Sequence, residues 1–248
     1  MNDHPRFWQN QFVPLGILLG LALIITGGLA SWAAIAIKNA SNTLSVTGSA
    51  QVAATADTAT WTLTATRGAA EGATGPAVAQ VGHDAKAISA YLVAEGVPAS
   101  AITLGPVRTN QDYSNYKQDS SAPNRYIVTQ DVSIASTSPQ LIQQLAQDTS
   151  ALASQGISFT TQDPQYYLST LPALRVSLMS DAVKDAKDRA DQIVKTTGQS
   201  VGRLQSASSG VVQVLAGNST DISDYGSYDT STINKNVMVT VHATFFVN

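Results

Sequence analysis

The chain contains no cysteine. Disulfides, thiolate nucleophiles and cysteine-ligated zinc or iron–sulfur centres are therefore excluded. That lack is compatible with an oxidising compartment without demonstrating one. Charge is scarce as well. Asp, Glu, Lys and Arg make up 12% of the residues, against a usual share of about 25%. The formal net charge is −3, and the basic residues never gather in one stretch. No nucleic-acid partner is expected, because neutralising phosphates takes grouped lysines and arginines. There are three histidines, His4, His83 and His242, isolated from one another in sequence. The phosphate-cradling G-x-x-x-x-G-K-S/T, zinc-binding H-E-x-x-H and nucleophile-elbow G-x-S-x-G patterns are missing. The expectation is a non-enzyme with no catalytic residue, no cofactor and no metal.

What the chain does hold is one long uncharged run, Phe12 to Ile37. Counted only from Pro14, it forms a helix roughly 36 Å long at about 1.5 Å per residue. A hydrocarbon core is about 30 Å thick, so the run reads as a membrane anchor over 12–38. A short polar tail, 1–11, precedes it and a water-facing domain, 39–248, follows. The apolar run is longer than the core of a cleaved signal peptide, about 7–15 residues. Ala34-Ile35-Ala36 does resemble a cleavage site, but retention is expected. Basic residues are balanced, Arg6 before and Lys38 after, so the large strand-rich domain sets the expected orientation, with the N-terminus in and the domain out. Gly16 and Gly20, extended by Gly27 and Ser31, give the small-xxx-small spacing that lets membrane helices approach closely. Glycines common to any membrane helix would give the same pattern.

From Thr43 the hydrophobic period falls to two. In the stretch TATWTLTAT, residues 58–66, Ala59, Trp61, Leu63 and Ala65 share one face and threonines the other, the signature of a half-buried strand. A loop is expected over 68–75, then a helix from near Pro76 with Val78, Val81, Ala85, Ile88 and Leu92 on its stripe and Gly96 at its end. Strands are read over 102–109 and 126–134, with the polar 110–125 loop between them. Ser138-Pro139 opens a helix carrying Leu141, Ile142, Leu145 and Leu152 and ending at Gly156. A short strand over 157–160 precedes a long helix, 170–197. Leu174, Leu178, Ala182 and Ile193 mark its buried side, and its clustered aspartates and basic residues read as a solvated, ion-paired face. A strand over 204–215 and a final strand follow. In the last one Val237, Val239, Val241, Ala243, Phe245 and Val247 face one way and Met238, Thr240, His242, Thr244 and Phe246 the other. Grouped strands with about three helices between them make this an α+β fold with largely antiparallel pairing.

The loop over 218–236 is unusually long. Asp221, Asp224 and Asp229 lie there among hydroxyls, the oxygen ligands calcium prefers. Their spacing is not that of a calcium loop, so a packed or solvated loop is favoured. Asp221, Asp224, Tyr225 and Tyr228 suit a polar interface. Met238 and Phe246 add apolar surface on the second face of the last strand, so these six are the candidate oligomer interface.

Several segments together resemble the SIMPL-domain (DUF541) family. Leu44 to Leu63, with Gly48 and Asp57, is similar to its opening strand and turn, although Ala50 and Ala56 depart from its glycine and proline. Gly96-Val97-Pro98 through Ile102 with Tyr113, the alanine-spaced helix running into Gly198 and Gly202, and the SDYG…DTS…K block before the last strand are the other matches. They suggest a membrane-anchored branch. The resemblance implies an α+β fold, a bacterial inner-membrane anchor with the domain facing the periplasm or exterior, and large ring- or barrel-like homo-oligomers. It also implies, for some members, a link to oxidative-stress tolerance. It supplies no catalytic residue. The leading expectation is a self-assembling, non-enzymatic envelope protein. The alternative is a binding module for a small molecule, lipid or envelope partner through the 110–125 and 218–236 loops.

Overall fold

In the computed structural model of the chain, residues 9–40, 42–113, 125–219 and 225–248 are described. The apolar run forms one helix, α1 (Gln9–Ala40). Within it Pro14–Ile35, 22 residues with none buried in protein, is long and apolar enough to cross a membrane. The remaining elements are β1 (Thr43–Thr55), β2 (Thr58–Ala70), α2 (Thr74–Ala94), a 3-10 turn (Ala99–Ala101), β3 (Ile102–Leu104), β4 (Arg108–Asp112) and β5 (Arg125–Ser136). They continue through α3 (Pro139–Gln147), α4 (Ser150–Ser154), β6 (Phe159–Thr161), β7 (Gln165–Tyr167), α5 (Leu171–Lys195), β8 (Val201–Ala216) and β9 (Asn234–Val247). The fold is α+β. One sheet has the order β1-β9-β8. The other has the order β3-β5-β2-β6, with β4 also on β5 and β7 on β2.

Contacts divide the chain into two units, and β1, α5, β8 and β9 supply residues to both. The larger comprises Ala50–Asp181 and Gly210–Thr240. Its six strands pair antiparallel around β2, in a register that sets Trp61 opposite Ile134 and Leu63 opposite Val132. These residues join Val81, Ala85, Ile88 and Leu92 of α2 and Ile142 and Leu145 of α3 in one core. Trp61 is 2% exposed, and its indole N–H donates to Thr161 Oγ1 at 2.7 Å and to the Gln162 carbonyl at 3.0 Å. The alternating face of β2 thus does what its period requires.

The smaller unit comprises Met1–Ser49, Ala182–Ser209 and Val241–Asn248. Its core joins Ala186 and Ala190 to Ala243 and Phe245, with Leu44, Val46 and Val201 against them. Gly48 lies so near α5 that an added Cβ would stand 2.1 Å from the Ala182 carbonyl and 2.7 Å from the Ala186 Cβ. The alanines of α5 allow this approach, and only glycine completes it.

Several expectations are corrected. α2 begins at Thr74, and Val78 is exposed. The position completing its buried stripe is Asp84, a charge that hydrophobic periodicity passes over. Residues 102–109 hold two strands, β3 and the start of β4: the Gly105 N–H still donates to Asp131 in the β3 register, but across Pro106, which has no N–H to give, the register on β5 shifts by one residue before Arg108 pairs with Thr129. The helix expected over 138–156 is two, broken at Asp148, which instead accepts from the Ser150 backbone and hydroxyl. On α5 the buried stripe is Leu178, Ala182, Ala186, Ala190 and Val194, and Ile193 is exposed. Small residues won that face because the strand approaches it closely. β7 went unread, being only three residues long.

Candidate functional site

In the larger unit, the described part of the long loop, residues 225–233, is folded back onto the domain. Asp229 donates its backbone N–H to the Val214 carbonyl at 2.7 Å, and Val214 donates to the Ser227 carbonyl at 2.8 Å. This makes a short parallel bridge on the outer side of β8. Gly226, at φ +85°, allows it, since a side chain there would press on Val211 and the Val212 carbonyl. Further on, Thr230 accepts from the Tyr166 N–H and Ile233 from the Ala56 N–H, both at 2.8 Å.

The lock on this segment is an ion pair. Lys235, at the start of β9, has a side chain with 0% exposure. Its ammonium donates to the Asp229 carboxylate at 3.0 Å and to the carbonyls of Asp229 and Thr232 at 2.6 Å each. All three of its donors are used. The Asp229 carboxylate also accepts from the backbone and hydroxyl groups of Ser231 and Thr232, at 2.5–3.2 Å. Burial raises the Asp229 pKa, but the hydrogen bonds from Thr232, Ser231 and Lys235 outweigh it and hold the carboxyl far below the usual carboxylate range. This saturated carboxylate has its lone pairs spoken for by the protein itself. Sequence reasoning placed Asp229 in a possible oxygen-ligand set and missed Lys235. The available signal was a lysine two residues before Val237, in phase with the inward face of β9.

Beside the clasp lies a cleft of about 620 Å³, lined by Gln140, Gln143, Asn218, Ser219, Ser231 and Asn234 among others. Its described polar side chains are amides and hydroxyls without formal charge, beside the apolar Ala216 and Ile233. Such a surface can hydrogen-bond a neutral polar ligand.

The remaining candidates are dispersed. Gly16, Gly20 and Gly27 on α1 have nothing within 4 Å of where a Cβ would stand, and Ser31 is exposed on the same helix. Asp221 and Asp224 lie outside the described residues, as does 114–124 of the other loop. Tyr225 is 97% exposed. Tyr228 is engaged within the chain: its hydroxyl accepts from the Leu168 N–H at 3.0 Å and its ring stands 6.0 Å from that of Tyr167. Met238 is half-buried. Phe246, in the smaller unit, is covered by the Arg203 guanidinium at 4.9 Å from its ring centre. His242 pairs with the Thr47 hydroxyl at 2.8 Å. Among the described residues no three His, Cys, Asp or Glu side chains stand together as a metal site.

Two further acids act as braces. Asp57 accepts from the backbone and hydroxyl of Ser169, at 2.8 and 2.6 Å, just ahead of α5, and these bonds lower its pKa. Asp84, 2% exposed, accepts from the Arg67 Nε at 2.7 Å and from Gln80 at 3.1 Å. Arg67 also donates to the Gly156 carbonyl at 2.9 Å, and the bond to Asp84 raises its pKa.

Compared with known families, residues 44–245 match the SIMPL family model, described as protein of unknown function (DUF541). No curated protein matches the chain.

Proposed function

The chain belongs to the SIMPL family, and on that premise we propose a membrane-anchored, non-enzymatic envelope protein that assembles with copies of itself. The observation that carries the reading is Pro14–Ile35, which is apolar, unburied and directly followed by the family domain. A retained helix of 22 residues spans roughly 33 Å, enough for a bilayer core. It would hold the domain at the outer surface of a bacterial inner membrane, where the protein would serve upkeep of the envelope, including under oxidative stress. The absence of catalysis is inferred from where the polar chemistry goes. Lys235, Asp229, Asp57, Arg67 and Asp84 are all engaged in holding the protein's own segments. The test is the mass of the particle extracted from membranes in mild detergent, measured by light scattering behind size exclusion. A discrete mass of several protomers is expected, and a monomer at all concentrations would overturn the assembly. A second reading, a binding module, is favoured by the uncharged amide-and-hydroxyl cleft. A small molecule identified by mass spectrometry in the purified protein, and lost on Gln140→Ala with Gln143→Ala, would establish it in place of assembly alone.

A further inference from the structure

We propose that the end of the smaller unit where β1 leaves the anchor is a lipid-contacting face, seated on a negatively charged phospholipid headgroup layer. This rests on the membrane-anchor reading and adds the surface by which the domain meets the bilayer.

Chain length brings that end to the membrane. Past Ile35, where the span ends, the helix runs on to Ala40, a rise of about 7 Å. Asn42 comes two residues later, at most about 7 Å further. The headgroup layer outside the hydrocarbon core is itself about 5–8 Å deep. The root of β1 is therefore held at the headgroups or just above them. Hydrogen bonds gather other segments around it. Val247 donates its N–H to the Asn42 carbonyl, and Ser200 and Asn248 exchange both of theirs, all at 3.0 Å. Gln199 donates to the Val194 carbonyl at 3.3 Å. The end of α5, the start of β8 and the end of β9 thus share the level of Asn42.

The chemistry at this end fits such a layer. The smaller unit carries seven Lys or Arg against four Asp or Glu, whereas the larger carries seven against thirteen. Within 36–46, 192–204 and 243–248 acidic residues are missing altogether, and Lys38, Lys195 and Arg203 are the charges. Basic residues beside a membrane helix are drawn to anionic headgroups. Asp191, one turn before Lys195, is already paired with Lys187 at 2.8 Å. A cleft of about 330 Å³ opens here, lined by Leu44, Ile193, Val194, Thr197, Gln199 and Val247 among others. Ile193 is 49% exposed. An open apolar side chain among hydroxyls and amides, with a lysine two residues on, suits the boundary where acyl chains meet headgroups.

The absence of native cysteine allows single-site labelling of the full chain reconstituted in vesicles. A fluorophore on Ile193→Cys is compared with one on Lys184→Cys, about 13 Å back along α5. The quencher is a phospholipid with a nitroxide on its headgroup. In vesicles of phosphatidylcholine with phosphatidylglycerol, the label at 193 is expected to lose most of its fluorescence and the label at 184 little. Pure phosphatidylcholine, high salt and Lys195→Glu beside Ile193→Cys should each restore much of the signal. Equal quenching at both positions, or quenching at 193 that ignores lipid charge and salt, would overturn the proposal while the chain still floats with the vesicles after carbonate washing. A wild-type chain released by carbonate would overturn the anchor reading as well.

Discussion

At the scale of single residues, the molecule depends on a few groups whose surroundings leave no alternative. Lys235 is the clearest. Removing its side chain takes the cation from the Asp229 carboxylate and the donor from the Asp229 and Thr232 carbonyls, and leaves a void where a fully buried side chain stood, so Lys235→Ala is expected to cost about 3–5 kcal/mol, read by chemical denaturation of the wild type and variant. Asp229 adds a pH signature. Its carboxyl is held below its unfolded value of about 3.9, so the folded state binds fewer protons there. The stabilisation is therefore complete above that value and declines as pH falls below it. Asp229→Asn should flatten the loss of melting temperature between about pH 4 and pH 2, and an unchanged slope would count against the clasp. Gly48 acts by what it lacks. Gly48→Ala drives a methyl into the α5 backbone and is expected to destabilise by about 3 kcal/mol or more. A variant with wild-type melting would show that the helix can retreat.

At the scale of elements, packing is set by small residues and by braces as much as by large apolar ones. The buried stripe of α5 is mostly alanine, so the helix contributes closeness rather than bulk. Asp185 adds a polar tie by accepting the Ser49 N–H and the Arg189 Nε, each at 2.8 Å. It is thus part of the attachment of β1 and not only of a solvated face. In the larger unit, α2 is braced to β2 by Arg67 and Asp84. Arg67→Met leaves Asp84 buried without its cation and should cost about 3 kcal/mol. Adding Asp84→Leu should recover most of that loss, since an apolar pair leaves no charge behind. A double-mutant cycle with no coupling would refute the brace.

At the scale of the whole molecule, α1 dominates behaviour outside the domain. The protein is expected to sediment with membranes and to resist carbonate extraction. Replacing Leu21 and Ile24 by Arg should disfavour insertion by about 2.5–3.5 kcal/mol per central charge and move protein to the soluble fraction. An intact mass beginning at Ile37 in the wild type would mean that the helix is removed after Ala36. The folded-back loop bears on assembly too. Because residues 226–233 bond to β8, Tyr166 and Ala56, deleting them would cost the domain its own lock.

The sequence by itself determined the apolar helix, the α+β class, the inward face of β2 and the alternation of β9. Each is written in a short-range period that survives in any tertiary setting. It also identified the family, because ordered weak motifs add up along a chain. What only the tertiary structure decided was the role of residues whose partners are far away or out of phase. Trp61 was legible as core from its neighbours, but Asp84 needed Arg67, seventeen positions earlier, to be readable as buried. The stripe of α5 shifted from Ile193 to alanines because Gly48 brings β1 against it. Asp229 looked like one of three loose aspartates until Lys235 stood inside the fold to claim it. Local period encodes which face of a segment is apolar, and burial of a charge or a glycine is encoded only by what arrives opposite it.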